Sequence, residues 1–121
     1  MKKILVIDDE EMMLDMMRQI LQRAGYTVLT ATDGMEGMDI FQQEEIDLII
    51  TDIFMPRKEG ISVVYDLREK HPNAKIVAIS GGGRLNSKDY LRYAEKLGAD
   101  RTLAKPFSKS EILNIVDELV G

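Results

Sequence analysis

Five short apolar runs punctuate the chain, at residues 4–7, 27–30, 48–51, 76–79 and 102–104. Continuous runs of this length, bounded by polar residues, predict strands buried on both faces. Amphipathic stretches fill the intervals and predict helices over residues 11–24, 34–44, 60–70 and 88–97, with a last one over 109–120. In the first of these, Met13, Met16, Met17, Ile20 and Leu21 recur at helical spacing and predict a core-facing stripe, with Met12 outside it as part of an adaptable surface. Gly25 and Gly98 follow helices as C-terminal caps would. Asp33-Gly34 and Pro72-Asn73 read as turns. Ser108 with Glu111 three residues on is a capping-box pattern. Strictly alternating strands and helices predict an α/β domain, a doubly wound parallel sheet covered on both faces by right-handed crossovers. No repeat or linker interrupts the pattern. Gly81-Gly82-Gly83 opens a loop to about Ser87, and no Gly-Lys-Ser/Thr follows to make it a phosphate-cradling loop.

Composition narrows the function. With 121 residues the chain is long enough for one domain with a real core, read here as 1–121. A net charge of −5 argues against direct nucleic-acid binding, which wants a basic surface. No cysteine is present, so thiolate metal sites and cysteine nucleophiles are excluded. No apolar stretch approaches the ~20 residues of a membrane span. The start, Met1-Lys2-Lys3 and four apolar residues, is cut short as a secretory signal by Asp8, Asp9 and Glu10, and the protein reads as cytoplasmic.

Candidate chemistry lies at the strand ends. Asp8 and Asp9 follow the first run, Asp52 the third, Ser80 the fourth, and Lys105-Pro106 the fifth. In open α/β sheets ligands bind at the carboxyl edge, and in the strand order 2-1-3-4-5 these groups converge there. A carboxylate pair at about 4 Å repels by roughly 4 kcal/mol at an effective dielectric near 20. Such a cluster is sustained by a divalent cation, by a lysine, or by a protonated acid. Oxygen-only ligands suit a hard ion such as Mg²⁺. Each piece also has a plainer reading. Asp8 and Asp9 suit a helix N-cap and first turn, Asp52 a loop start, Ser80 a turn, and Lys105 a solvated surface. Their joint placement at four strand ends argues against that. His71, before Pro72 at a helix end, reads as a surface residue.

The acid pair, the lone aspartate, the hydroxyl and the Lys-Pro, in this order along the whole chain, resemble the receiver domain of two-component response regulators. The segment Asp52-Ile53-Phe54-Met55-Pro56-Arg57-Lys58-Glu59-Gly60 adds a Met-Pro and a glycine eight residues past the aspartate, both typical of that family. The resemblance implies a (βα)₅ flavodoxin-like fold and a signalling switch of the phosphorelay, not a turnover enzyme beyond its own phosphotransfer and autodephosphorylation. It implies that Asp52 accepts a phosphoryl group from a histidine kinase or histidine phosphotransfer protein. Asp8, Asp9, Asp52 and the Phe54 backbone carbonyl would hold Mg²⁺ or Mn²⁺. Lys105 and Ser80 would meet the phosphoryl oxygens, and Pro106 would follow a cis peptide. Output would pass through the face of helix 4, strand 5 and helix 5, as partner binding or as a phosphorylation-dependent dimer. The end at Val120-Gly121, where helix 5 should finish, reads either as a single-domain regulator or as a receiver cut from a longer protein, and the lack of an exit linker favours the first.

Three features depart from the family pattern. Thr102 stands where a Tyr or Phe usually reports phosphorylation, with Tyr90 and Tyr93 as substitutes. Phe54 is bulky and would shield an aspartyl phosphate from water. The loop after Ser80 is longer than usual. Rival readings fit less well. A Mg²⁺-dependent phosphohydrolase would carry Asp-x-Asp after its first strand. A flavodoxin-like cofactor binder would carry a Ser/Thr-rich loop where this chain has acids. A degenerate receiver would lack the acid, hydroxyl and lysine set.

Overall fold

Each apolar run forms a strand and each amphipathic stretch a helix, giving β1 (Lys3–Ile7), α1 (Glu11–Arg23), β2 (Thr27–Ala31), α2 (Gly34–Gln43), β3 (Leu48–Asp52), α3 (Gly60–Lys70), β4 (Ile76–Ser80), α4 (Ser87–Leu97), β5 (Arg101–Ala104) and α5 (Lys109–Val120). The structure, a computed structural model, describes residues 2–53, 60–80 and 87–121, and of 87–91 the backbone alone. Phe54, the Met55-Pro56 pair, the expected loop after Ser80 and the Tyr90 side chain lie outside the described residues. Among the described residues no helix is long and apolar enough to cross a membrane.

The strands pair in parallel, in the order β2-β1-β3-β4-β5. All five residues of β3 and of β4 are buried, which is why their sequences read as unbroken apolar runs. Side chains alternate across the sheet and feed two cores. Leu5, Ile7, Ile49 and Ala78 pack with Met38, Val63, Val64, Leu67 and Ala94 of α2, α3 and α4. Ile4, Val6, Ile50 and Val77 pack with Leu14, Met17, Leu21, Ile112 and Val116 of α1 and α5. Each fully buried aliphatic side chain contributes about 1.5–3 kcal/mol relative to exposure.

The α1 stripe is rotated from the one the spacing predicts. Leu14, Met17 and Leu21 are its buried residues, Met13 and Ile20 pack at its flanks, and Met16 is exposed. Both stripes satisfy the helical period, and contact with the Ile4 and Val6 face selects one. Met12 lies outside the stripe, 85% exposed. Asp33 closes no simple turn; it is the N-cap of α2, accepting from the Glu36 N–H. The Ser108–Glu111 capping box forms at α5. Gly25 and Gly98 take φ of +100° and +126° after α1 and α4, where glycine is favoured. His71 is exposed, its ring edge packed against Phe41.

At the edge opposite the strand ends, Arg68 of α3 gathers several segments. Its guanidinium donates to the Gly98 carbonyl at 3.1 and 2.6 Å, to the Pro72 carbonyl, and to the Asp100 carboxylate at 3.0 Å. Asp100 accepts in turn from the Ile76 N–H at 2.8 Å. This polar junction ties α3, the exit of α4 and the start of β4 together. On the other face, Tyr26 donates to Asp117 at 2.7 Å and Arg101 pairs with Glu118, binding the last turns of α5.

Candidate functional site

The register of the sheet builds the site. Ile7 of β1 lies opposite Thr51 of β3, so Asp8 and Asp52 leave the sheet side by side. Asp52 pairs with Ile79, and Ser80 with Ala104. The ladder runs past the apolar residues: Ile53 N–H donates to the Ile79 carbonyl at 3.0 Å and Lys105 N–H to the Ser80 carbonyl at 2.7 Å. Asp52 and Ser80 are therefore the last residues of their strands rather than the first residues after them.

Gly60 holds α3 against the same rim. A Cβ there would collide with the backbone of Asp52 and Ile53, so only glycine lets the first turn of α3 approach the strand end. Glu10, not Asp8 or Asp9, is the N-cap of α1, and its side chain makes no capping bond. Asp8 accepts the Glu10 N–H at 2.9 Å, which fixes the carboxylate on the rim.

Asp8, Asp9 and Asp52 each bring a carboxylate oxygen into one group, all within 4.8 Å of one another. Lys105 Nζ stands between two of them, 3.0 Å from Asp8 Oδ2 and 2.9 Å from Asp52 Oδ2, with Glu10 Oε1 at 3.7 Å. The side chains of Asp8 and Asp52 are 4% and 6% exposed, that of Lys105 13%, and that of Glu10 67%. Burial raises the Asp8 pKa above the ordinary carboxylate value, against the Glu10 N–H and Lys105, which lower it. Burial pulls the Lys105 ammonium down, yet its bonds and charge contacts with Asp52 and Asp8 raise its pKa overall. The ammonium is thus held charged among carboxylates that repel one another.

Ser80 Oγ is fully buried and has no hydrogen-bond partner among the described residues. A buried hydroxyl left unpaired costs about 1–3 kcal/mol. Thr102 is half-buried on β5 opposite Ala78, two residues before the Ser80–Ala104 pair, with Tyr93 of α4 exposed. The Lys105–Pro106 peptide is cis. Asp8, Asp9, Asp52, Ser80 and Lys105 are brought to the rim, Thr102 lies two residues back from the end of β5, and the Phe54 carbonyl lies outside the described residues. Sequence reasoning alone does not single out Glu10, although its place directly after the acid pair is the signal that puts it there.

Three close carboxylates fit a hard divalent cation in chemistry and spacing. Fold and rim define a doubly wound α/β protein with an acid-and-lysine site at its switch point. A family model described as the response regulator receiver domain matches residues 4–117, and the chain belongs to that family, a module of phosphorelay signalling. It is 37% identical over 111 residues to the alkaline phosphatase synthesis transcriptional regulatory protein PhoP of Bacillus subtilis (strain 168), covering 92% of this chain and 45% of that protein. The chain thus spans about half the length of that curated relative. A response regulator receiver domain protein from Clostridium thermocellum superposes with a TM-score of 0.91 at 31% identity, covering 99% of this chain and 94% of that one. The response regulator TrrA from Thermotoga maritima, solved in complex with Mg(2+)-BeF, superposes at 0.88 with 32% identity, covering 99% and 100%.

Proposed function

We propose that residues 1–121 act as one receiver domain, a phosphorylation-driven switch in which Asp52 accepts a phosphoryl group from the phosphohistidine of a histidine kinase or phosphotransfer protein. The observation that carries this reading is the Lys105 ammonium 2.9 Å from Asp52 and 3.0 Å from Asp8, beside the carboxylate group of Asp8, Asp9 and Asp52. An Asp52 oxygen attacks phosphorus in line with the breaking P–N bond, and the imidazole leaves with the electron pair and takes up a proton. Lys105 moves from pairing with Asp52 to pairing with a phosphoryl oxygen. Ser80, buried and without a partner among the described residues, donates its hydroxyl to another phosphoryl oxygen and draws the β4 end inward.

Asp8, Asp9 and Asp52, with the Phe54 carbonyl, would hold Mg²⁺, or Mn²⁺ in its place, and the ion supplies charge neutralisation around the transferring group. The likeness to TrrA, a protein solved with Mg(2+)-BeF, supports that choice. Phosphorylation adds up to about two negative charges at neutral pH. A near-complete switch needs about 5.5 kcal/mol of differential stabilisation. Output passes through the α4–β5–α5 face, by partner binding or dimerisation, with Thr102 in place of an aromatic reporter. The domain works in the cytoplasm, touches no nucleic acid itself, and returns to rest by slow hydrolysis of the aspartyl phosphate.

The test is incubation with Mg²⁺ and acetyl phosphate, followed by mass spectrometry. Phosphate on Asp52, lost in Asp52→Asn, is expected. Phosphate elsewhere, or none, overturns the proposal.

A further inference from the structure

We propose that Glu10 is a specificity-determining residue of the phosphoacceptor site, an anionic guard over Lys105 that disfavours small dianionic phospho-donors. This rests on the reading of Asp52 as phosphoacceptor.

The geometry sets Glu10 apart from the other acids of the rim. Asp8 and Asp52 are buried beneath Lys105 and bond to it directly. Among the described residues Glu10 is the exposed carboxylate that pairs with the same ammonium, at 3.7 Å, beyond a hydrogen bond but well within Coulombic reach, whereas the exposed Asp9 belongs to the carboxylate group itself. Its backbone is pinned, because its N–H donates to Asp8 at 2.9 Å. It occupies the N-cap position of α1, where a side chain ordinarily caps, yet no capping bond forms and the carboxylate reaches Lys105 instead. A phosphoryl group arriving from solvent must approach the ammonium with this charge alongside. The repulsion scales with the charge on the donor. A phosphohistidine carried by a protein brings its own contact surface, whose binding offsets the repulsion, whereas a free small anion has nothing to set against it.

Two small donors separate charge from chemistry. Acetyl phosphate reacts as a dianion: the Asp52 oxygen bonds to phosphorus, the P–O bond to the acyl group breaks, and acetate leaves with the electron pair. Phosphoramidate reacts as a monoanion: the same P–O bond forms, the P–N bond breaks, and ammonia leaves, its proton already on nitrogen. Initial rates of phosphate incorporation at Asp52 would be measured by mass spectrometry at saturating Mg²⁺, for the wild type, Glu10→Gln and Glu10→Asp.

At low ionic strength Glu10→Gln is expected to react about three- to tenfold faster with acetyl phosphate. The gain should be clearly smaller with phosphoramidate. It should fade toward unity near ~1 M salt, where the Debye length falls to about 3 Å. Glu10→Asp, which keeps the charge, should stay close to wild type. Unchanged or slower rates in Glu10→Gln overturn the inference. So do an equal gain with both donors, a gain that persists at high salt, or a Glu10→Asp variant that behaves like Glu10→Gln. Failure of wild-type Asp52 to take phosphate from either donor is a different result: it removes the phosphoacceptor reading, and this inference falls with it.

Discussion

Ser80 has a hydroxyl buried at the sheet edge without a partner among the described residues, a placement that suits a donor awaiting an incoming oxygen. Ser80→Ala is therefore expected to leave stability unchanged or raise it by up to about 1 kcal/mol, read as the urea midpoint at constant slope. A loss above about 1 kcal/mol would reveal a structural partner for the hydroxyl instead. Tyr26 makes the opposite case, a polar group with a purely structural bond. Its hydrogen bond to Asp117, helped by partial burial and by the charge of that carboxylate, pushes its pKa up from 10.0 to about 12. The folded pKa lies above the unfolded one, so the contribution is full below about pH 10 and is lost as pH rises toward 12. Tyr26→Phe should cost under about 1 kcal/mol near neutral pH, since the pair is washed by solvent. The gap between the two proteins in chemical denaturation should narrow through that alkaline window; a gap constant with pH contradicts the assignment. Asp8, Asp9, Asp52, Ser80 and Lys105 were legible in the sequence because each ends an apolar run. Glu10 was not, because an acid opening a helix looks like ordinary dipole compensation.

At the scale of elements, strand and helix positions could be read closely and their faces less so. The two cores share one sheet, so the runs of β3 and β4 carry no alternation to betray which side each residue faces. The ends of those strands are masked for the same reason: Asp52 and Ser80 are polar, yet backbone bonds from Ile53 and Lys105 extend the ladder past them. In α1, the choice between Leu14 and Met16 as core residue lies in the packing partner, which period alone does not encode. Gly60 shows an element placed by the absence of a side chain. Gly60→Ala drives a methyl into the Asp52–Ile53 backbone and should destabilise by about 3 kcal/mol in urea unfolding. The same variant should slow phosphate uptake at Asp52, because α3 must retreat from the strand that carries it. Wild-type stability in Gly60→Ala would mean that α3 yields freely.

For the molecule as a whole, the alternation of runs and amphipathic stretches was enough to read a doubly wound parallel sheet, while its order β2-β1-β3-β4-β5 came only with the resemblance to the receiver family. A rim of mutually repelling carboxylates then sets a global property: a cation bound there stabilises only the folded state. Raising Mg²⁺ to a hundredfold over its Kd should add about 2.7 kcal/mol. That is several degrees in Tm for a domain of this size. Asp9→Asn, exposed and outside both cores, should leave the ion-free Tm near wild type and flatten the response. An equal rise in Tm for both proteins would place the ion elsewhere. The Arg68 junction adds an asymmetry to any motion that follows. It fastens α4 at the Gly98 end, at the edge of the sheet far from Asp52, to α3 and to the start of β4. With its Gly98 end held by Arg68, α4 should show amide-exchange changes on phosphorylation that are steepest near Ser87 and die away toward Leu97. Arg68→Ala, at a cost of about 2 kcal/mol, should erase that gradient and let the helix drift as a unit. Where α4 is moored thus decides which of its ends can carry the message.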